Sequence, residues 1–426
     1  MSELPVLPLA ACIGIDWADD HHDIALQVTG TTAVESCRIV HTPEALQAWL
    51  ATLATRFGGQ AIGIALETSR GPLVHALLEV PFVVLYPINP RSVSRFREAF
   101  APSGAKDDGP DAHLLLTMLV QHRPALRAWT PDDVATRTLR RLVEHRRTAI
   151  ALRTQLTQQL QAVLKEYFPQ ALEWAGMELT SEMACSFLQR WPTLQALQRA
   201  RPATIQHFYV SHNCRSAALI AARLAAIRTA MPLTTDAAIL ESSALYVQCL
   251  TAQLRQLGPS VTRFDDAIAT HFAAHPDAAI FASFPGAGAA FAPRLLAAFG
   301  TDRTRFPTAA DMQQRAGIAP VTIRSGRHEQ VRWRWAVSNF LRQTFHEFAG
   351  YSIHHSAWAH ACYKRLRERG KTHHAALRAL AFKWIRILHR CWTDHTPYDD
   401  ARYTRALNDR GSPLAAALHL AHITVK

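Results

Sequence analysis

Hydrophobic and polar positions change period several times along the first hundred residues. Cys12, Ile13, Gly14 and Ile15 form an apolar run that ends on Asp16, a polar turn follows, and Ile24, Leu26 and Val28 resume on one face of an alternating segment. The pattern predicts a β-hairpin. An acid at the tip of a buried strand projects at the sheet edge, which makes Asp16 the first catalytic candidate; the plainer alternative is that Asp16 or Asp19 only shapes the turn. Residues 36–40 suit a third strand, and residues 43–57 a helix with Leu46, Trp49, Leu50 and Leu53 on one face. A second apolar run, 60–66, also ends on an acid, Glu67, before a Gly-Pro turn and a short helix over 73–79. Residues 82–86 read as another buried strand, closed by Pro87-Ile88-Asn89-Pro90. This alternation argues a mixed α/β sheet with helices on its faces.

Beyond residue 90 the pattern becomes helical. In Lys106-Asp107-Asp108-Gly109-Pro110-Asp111, Pro110 suits the first turn of a helix that runs through Leu119. Asp108 and Asp111, three apart, would share a face, as two carboxylates must to serve one metal cluster; helix capping is the ordinary alternative. Residues 131–168 contain Leu142, Ala149, Leu156 and Val163 at every seventh place, with Val143, Ile150 and Leu164 beside them. That heptad-like seam predicts a dimerising coiled coil, although Arg146 and Arg153 interrupt its second row and a long helix packed on its own domain is the alternative. Residues 174–275 read as several helices, clearest over 216–231 and 235–257, without evident chemistry. Pro285-Gly286-Ala287-Gly288 is similar to the turn of a helix-hairpin-helix, where backbone N–H groups meet a phosphate; a plain loop is the alternative.

Composition narrows the class. A length of 426 residues, 49% of them hydrophobic, allows two or three domains with real cores. The net charge of +12 favours a polyanionic partner, nucleic acid first. The charge is concentrated: fourteen Arg and Lys lie from Arg324 to Arg390, among them Arg324, Arg327, Arg332, Arg334 and Arg342, against Glu329, Glu347 and Glu368. Trp333, Trp335, Phe340, Phe345 and Tyr351 are interleaved, which makes this the best nucleic-acid surface in the chain. Seven scattered cysteines without a CxxC pair suit free thiols in a reducing cytosol, not a disulfide framework or a zinc site. The N-terminus has no Lys or Arg ahead of an apolar core and no apolar run reaches about 18 residues, so neither a signal peptide nor a membrane span is expected, and the expected location is cytoplasmic, at the nucleoid. The His pairs 21/22, 354/355 and 373/374 read as surface or phosphate-facing residues, because neighbours on a helix or strand point apart.

An acid ending the first strand, a Glu ending a middle strand and an Asp-x-x-Asp opening a later helix resemble the RuvC-like branch of the ribonuclease-H fold. The order Asp16, Glu67, Asp108, Asp111, then a helical spacer, the Pro-Gly-x-Gly turn and Gly317-Ile318-Ala319-Pro320 followed by Ser325-Gly326, is similar to the DEDD transposases of insertion sequences. These are Piv-related recombinases that include bridge-RNA-guided enzymes, and the resemblance covers roughly residues 11–120 and 280–390. It implies a RuvC-like catalytic domain over 8–125, a helical spacer over 126–278 with the coiled coil at 131–168, a mainly α-helical transposase domain over 279–395 and a tail over 396–426. It implies that Asp16, Glu67, Asp108 and Asp111 hold divalent cations, Mg²⁺ by the hardness of their oxygens with Mn²⁺ as a substitute. Ser325, flanked by Arg324 and Arg327, would be the nucleophile that joins covalently to DNA, in a domain separate from the acids. A structured guide RNA and a homo-oligomer, a dimer or a tetramer on DNA, are the implied partners. Two departures stand out: Asp107 adds a fifth acid, and Ser338-Asn339 replaces a more usual Gly-Asn and offers a rival serine. The alternatives are a metal-dependent junction resolvase or nuclease without a covalent intermediate, and a non-catalytic DNA-binding protein.

Overall fold

A computed structural model describes residues 8–68, 71–100, 108–325, 328–334 and 337–415. The chain divides into two compact units, Met1–Pro131 and Asp132–Lys426.

The first unit is a mixed sheet between helices. Strands β1 (Ala11–Trp17), β2 (His21–Val28), β3 (Val34–Val40), β4 (Ile62–Leu66) and β5 (Val83–Pro87) lie in the order β3-β2-β1-β4-β5. The β1–β2 and β2–β3 pairs are antiparallel, and β1–β4 and β4–β5 are parallel. All five residues of β4 are buried, as a strand covered on both faces must be. Strand β3 starts two residues before its expected position because its pairing with β2 extends to Gln27 opposite Val34. It is the exposed edge, and it carries Glu35 and Arg38, charges that discourage pairing with another chain.

Large residues of β1 and β4 (Ile13, Ile15, Ile64, Leu66) face helices α1 (Pro43–Phe57) and α2 (Pro72–Leu78). Helix α1 begins where the Thr42 hydroxyl accepts the Ala45 N–H, and ends at Gly58 in the left-handed conformation. The opposite face carries small residues, Cys12, Gly14, Gly63 and Ala65, under helices α3 (Pro90–Phe100) and α4 (Asp108–His122). A Cβ on Gly14 would lie 2.0 Å from the Ala112 carbonyl oxygen, so glycine there lets the α4 backbone rest directly on β1.

The second unit is mainly helical. Helix α5 (Val134–Tyr167), capped by Asp133, packs against the long helix Ala237–Ala273 of the same chain. The two run antiparallel, with Arg146 paired to Asp265 and Leu139 sharing a core with Ile268. Val247, Leu254, Val261 and Ile268 are buried at every seventh position of the partner helix. The helix expected to form a dimerising coiled coil thus packs along a helix of its own chain, as the alternative reading has it, with Leu142, Ala149 and Ile150 of the seam half-buried. The partner helix also runs on through Gly258-Pro259, where the sequence predicts a stop at 257. Proline costs it one hydrogen bond and some strain, and the continuing heptad contact offsets that loss.

Two cores share these long helices. One gathers Leu156, Leu160 and Leu164 with Trp174, Phe187, Trp191 and Tyr209. The other gathers Leu139, Val143 and Ile268 with Phe281, Phe299, Phe345, Trp384 and Trp392. The expected break at residue 278 therefore cuts through a core, and Tyr398, Tyr403 and Leu414 of the expected tail pack into it as well. A buried polar network fastens the start of α5: Arg303 holds Asp277 through two 2.7 Å hydrogen bonds, Arg305 pairs with Asp132, and His275 Nε2 lies 2.9 Å from Thr136 Oγ1. The seven cysteines are all unpaired.

Two short helices, Ala278–Ala282 and Gly288–Phe299, flank the Pro-Gly-x-Gly turn, with Gly286 and Gly288 at positive φ. The helical expectation beyond it missed one feature. Strands β6 (Val321–Ser325) and β7 (His328–Arg332) form an antiparallel hairpin. Its described side chains are largely exposed, so no inside/outside alternation announced it.

Candidate active site

Period-two geometry decides where the acids of the first unit go. Asp16 follows Cys12 and Gly14 on the small-residue face of β1, and Glu67 follows Gly63 and Ala65 on the same face just beyond β4. Because β1 and β4 are parallel, both acids emerge at the carboxyl ends of neighbouring strands, where α/β sheets present ligand sites. Helix α4, brought close by Gly14, carries Asp111 immediately before the Ala112 that touches β1. The result is a cavity of about 340 Å³ lined by Asp16, Glu67 and Asp111. The side chain of Asp108 and the whole of Asp107 lie outside the described residues.

Trp17, Asp23, Ser94 and Arg97, to which the sequence reading gave no part in a site, complete the walls together with His21, which it read as a surface or phosphate-facing residue. Asp23 stands directly opposite Asp16 in the β1–β2 register, so it shares the same face. The acids carry counter-charges. Arg97 donates to Asp111 at 2.5 Å, and Arg38 grips Asp23 through two hydrogen bonds of 2.8 and 3.0 Å. His21 hydrogen-bonds Asp20 at 2.6 Å and so holds its carboxyl below the ordinary range. On the opposite face His22 is buried, 2.8 Å from His41, and burial followed by the neighbouring imidazole pulls its pKa down.

Oxygen-only donors of this kind match a hard divalent cation. Among the described residues no three His, Cys, Asp or Glu side chains are gathered tightly enough to enclose one ion. Mg²⁺ does not require that, since it keeps several waters and takes one or two protein carboxylates. The donor set therefore fits such an ion, with Asp111 presently shared with Arg97.

The basic segment of the second unit is uneven. Arg324 pairs across the hairpin with Glu329 at 3.1 Å, and Arg332 donates to Gln330 at 2.8 Å. Arg342 donates to the Arg334 carbonyl at 3.0 Å. Arg327 and the side chain of Ser325 lie outside the described residues; the Ser325 backbone pairs with His328. The rival serine has a structural task, because Ser338 caps the Asn339–Ser352 helix by accepting the Leu341 N–H. Among the described residues no helix is long and apolar enough to cross a membrane.

Comparison with known proteins follows the same division. A transposase family model matches residues 13–169, which include every acid of the cavity, and the Transposase IS116/IS110/IS902 family model matches residues 278–364, which include Ser325. The chain is 31% identical over 408 residues to the mini-circle candidate transposase for IS117 of Streptomyces coelicolor, covering 92% of this chain and 96% of the relative. It is 28% identical to a 42 kDa protein of insertion element IS900 from Mycobacterium paratuberculosis, over 87% and 92% of the two chains. A 43.6 kDa protein of insertion element IS110 from Streptomyces coelicolor is 25% identical over 89% and 93%.

Proposed function

The chain belongs to the IS116/IS110/IS902 family of transposases, and on that premise we propose that it cuts and rejoins DNA through a covalent serine–DNA intermediate, aided by a divalent metal at the acids of its first unit. One observation carries the reading. Asp16, Glu67 and Asp111, from three separate elements, line a single cavity within the region that the transposase model matches.

Asp16, Glu67 and Asp111, together with Asp108, are the residues that would hold Mg²⁺, or Mn²⁺ in its place. Such an ion supplies Lewis acidity and neutralises charge on a phosphate. Arg97 keeps Asp111 compensated in the free protein, so Asp111 would have to release Arg97 to help hold a cation. Ser325 is the proposed nucleophile: its Oγ bonds to the phosphorus, the bond from phosphorus to one strand oxygen breaks, and that oxygen leaves as a hydroxyl end. The serine proton passes to a base, and the seryl phosphodiester keeps the bond energy for rejoining to a second hydroxyl. Arg324 and Arg327, with Arg332, Arg334 and Arg342, would stabilise phosphate charge along the strand.

Sequence choice we assign to a structured guide RNA, whose base pairing would read the target while the protein reads backbone and shape. The support is the family resemblance together with the basic surface from Arg324 to Arg390. Joining two DNA molecules calls for more than one serine, so the assembly we propose is a homo-oligomer, a dimer or a tetramer on DNA, built through surface other than the occupied α5 seam. It would act in the cytoplasm, at the nucleoid.

The test is to trap protein on labelled element-end DNA with Mg²⁺ and guide RNA, comparing wild type, Ser325→Ala and Ser338→Ala. Loss of the adduct in Ser325→Ala alone, with the capping variant still reactive, is the expected result. An adduct that survives Ser325→Ala refutes the assignment, and free ends without any adduct return the site to a nuclease.

A further inference from the structure

Two helices of the second unit each carry an arginine and a histidine four residues apart. Arg342 and His346 lie in Asn339–Ser352, and His374 and Arg378 lie in His373–Thr393. Residues four apart stand one above the other on a helix face, so each pair forms a short basic ridge. The ridges oppose each other in antiparallel sense. At one end His346 Nε2 is 3.3 Å from His374 Nδ1, with the rings stacked at 5.5 Å. At the other end both arginines reach one indole: the guanidinium carbon of Arg378 is 4.1 Å from the centre of the Trp333 ring and that of Arg342 is 5.4 Å away. Trp333 follows directly on β7, the second strand of the hairpin that contains Ser325.

The carboxylate beside the array, Glu347, is engaged by Arg294 of the Gly288–Phe299 helix at 2.7 Å. His373, next to the array, hydrogen-bonds the Tyr363 hydroxyl of the Ala357–Glu368 helix at 2.8 Å. The groups that face His346 are thus His373, His374 and Arg378 from the opposing helix and Arg342 and Glu347 from its own. Burial first, then His374, Arg378 and His373, pulls the His346 pKa down, and burial does the same to Arg378. The shared indole offers each guanidinium a cation–π contact, but it does not remove the repulsion between them. An incoming anion removes the conflict.

We propose that Arg378, Arg342, His346 and His374 form a proton-coupled clamp for a DNA backbone phosphate. The phosphate docks against the guanidinium groups, and His346, hydrogen-bonded to His374, takes up one proton as it binds and becomes a charge-assisted partner. DNA is the occupant because Trp333 continues the Ser325 hairpin, so a phosphate held here belongs to the strand offered to that serine. That choice rests on the serine reading given above; the clamp itself does not.

The experiment measures binding of a fluorescein-labelled DNA duplex of arbitrary sequence by anisotropy, at fixed ionic strength, at about pH 6 and about pH 8. Proton uptake averaging about one half across these two pH units predicts wild-type binding about tenfold tighter at the lower pH. His346→Gln/His374→Gln should keep its affinity at the higher pH and lose most of that gain. His374→Gln alone, at an exposed helix start, should lose part of it and guards against a folding defect in the double variant. Arg378→Gln should bind more weakly at both pH values and reduce the slope of log affinity against log salt by about one unit. A pH gain undiminished in the double histidine variant overturns the proposal, as does an unchanged salt slope in Arg378→Gln. A gain confined to an RNA duplex of the same sequence overturns the assignment to DNA. A failed adduct assay in the wild-type protein with the pH gain intact removes the serine reading and leaves the clamp standing.

Discussion

The acid cavity of the first unit and the basic array of the second are built on opposite electrostatic plans. Around the cavity the described ion pairs are made: Arg97 answers Asp111 and Arg38 answers Asp23. In the array, Arg342, His346, His374 and Arg378 stand together while the neighbouring carboxylate is committed to Arg294. The first site is closed upon itself, and Asp111 would have to release Arg97 to help hold a cation. The second gathers basic groups and, as proposed, gains stability from an anion. Their scaffolds differ in the same sense, since the acids project from buried parallel strands whereas the basic residues ride on helix surfaces beside an exposed hairpin. The acid site is fixed in backbone, and the basic one in side chains.

The comparison breaks most visibly at Gly14. Gly14→Val places a side chain where α4 rests on β1, so it should destabilise the first unit by about 3 kcal/mol or more and scatter the acids. Thermal unfolding followed by circular dichroism checks this, and a melting temperature equal to wild type refutes the close approach. No single side chain of the basic array should have a comparable effect on stability.

A smaller effect sharpens the electrostatic contrast. Arg97→Gln removes the cation that competes at Asp111. Mn²⁺ should then bind about tenfold more tightly by titration calorimetry, the factor that ~1.4 kcal/mol carries. Unchanged or weaker binding would mean that Arg97 supports the site instead of occupying it.

The smallest effect concerns pH. Burial, partly opposed by Asp277 and Asp133, lowers the His275 pKa from its ordinary 6.5. Below that value the unfolded chain binds a proton that the folded chain refuses, so stability falls as pH falls, by at most about 1.4 kcal/mol per pH unit. His275→Gln should flatten the fall in melting temperature between about pH 7 and about pH 5. An identical pH profile in the variant would assign the loss elsewhere.

Much of the acid site was legible because two apolar runs each end on a carboxylate, and a buried strand leaves its tip few places to go. The finer message, that Cys12, Gly14 and Asp16 on β1 and Gly63, Ala65 and Glu67 on β4 share one face of the sheet, was also present, but hydrophobicity counts Gly, Ala and Ile alike and hides a large/small alternation. Asp23 and Arg97 escaped because their roles depend on strand register and on how α3 packs. The heptads of α5 were real, yet the matching heptad of its partner lies about a hundred residues later and crosses Gly258-Pro259, which reads as a stop. The hairpin of Ser325 had no one-sided burial to signal it. The basic array was visible only as charge density, since Arg-x-x-x-His on one helix says nothing of the helix that faces it.

The central claim is that Asp16, Glu67 and Asp111 act as one cation site, and Mn²⁺ binding to the DNA-free protein tests it without recourse to activity. Calorimetric titration should detect a site in wild type that Asp16→Asn and Glu67→Gln each remove or weaken by at least about tenfold, with circular dichroism unchanged. Mn²⁺ bound with wild-type affinity by a folded Asp16→Asn/Glu67→Gln double variant would contradict the account.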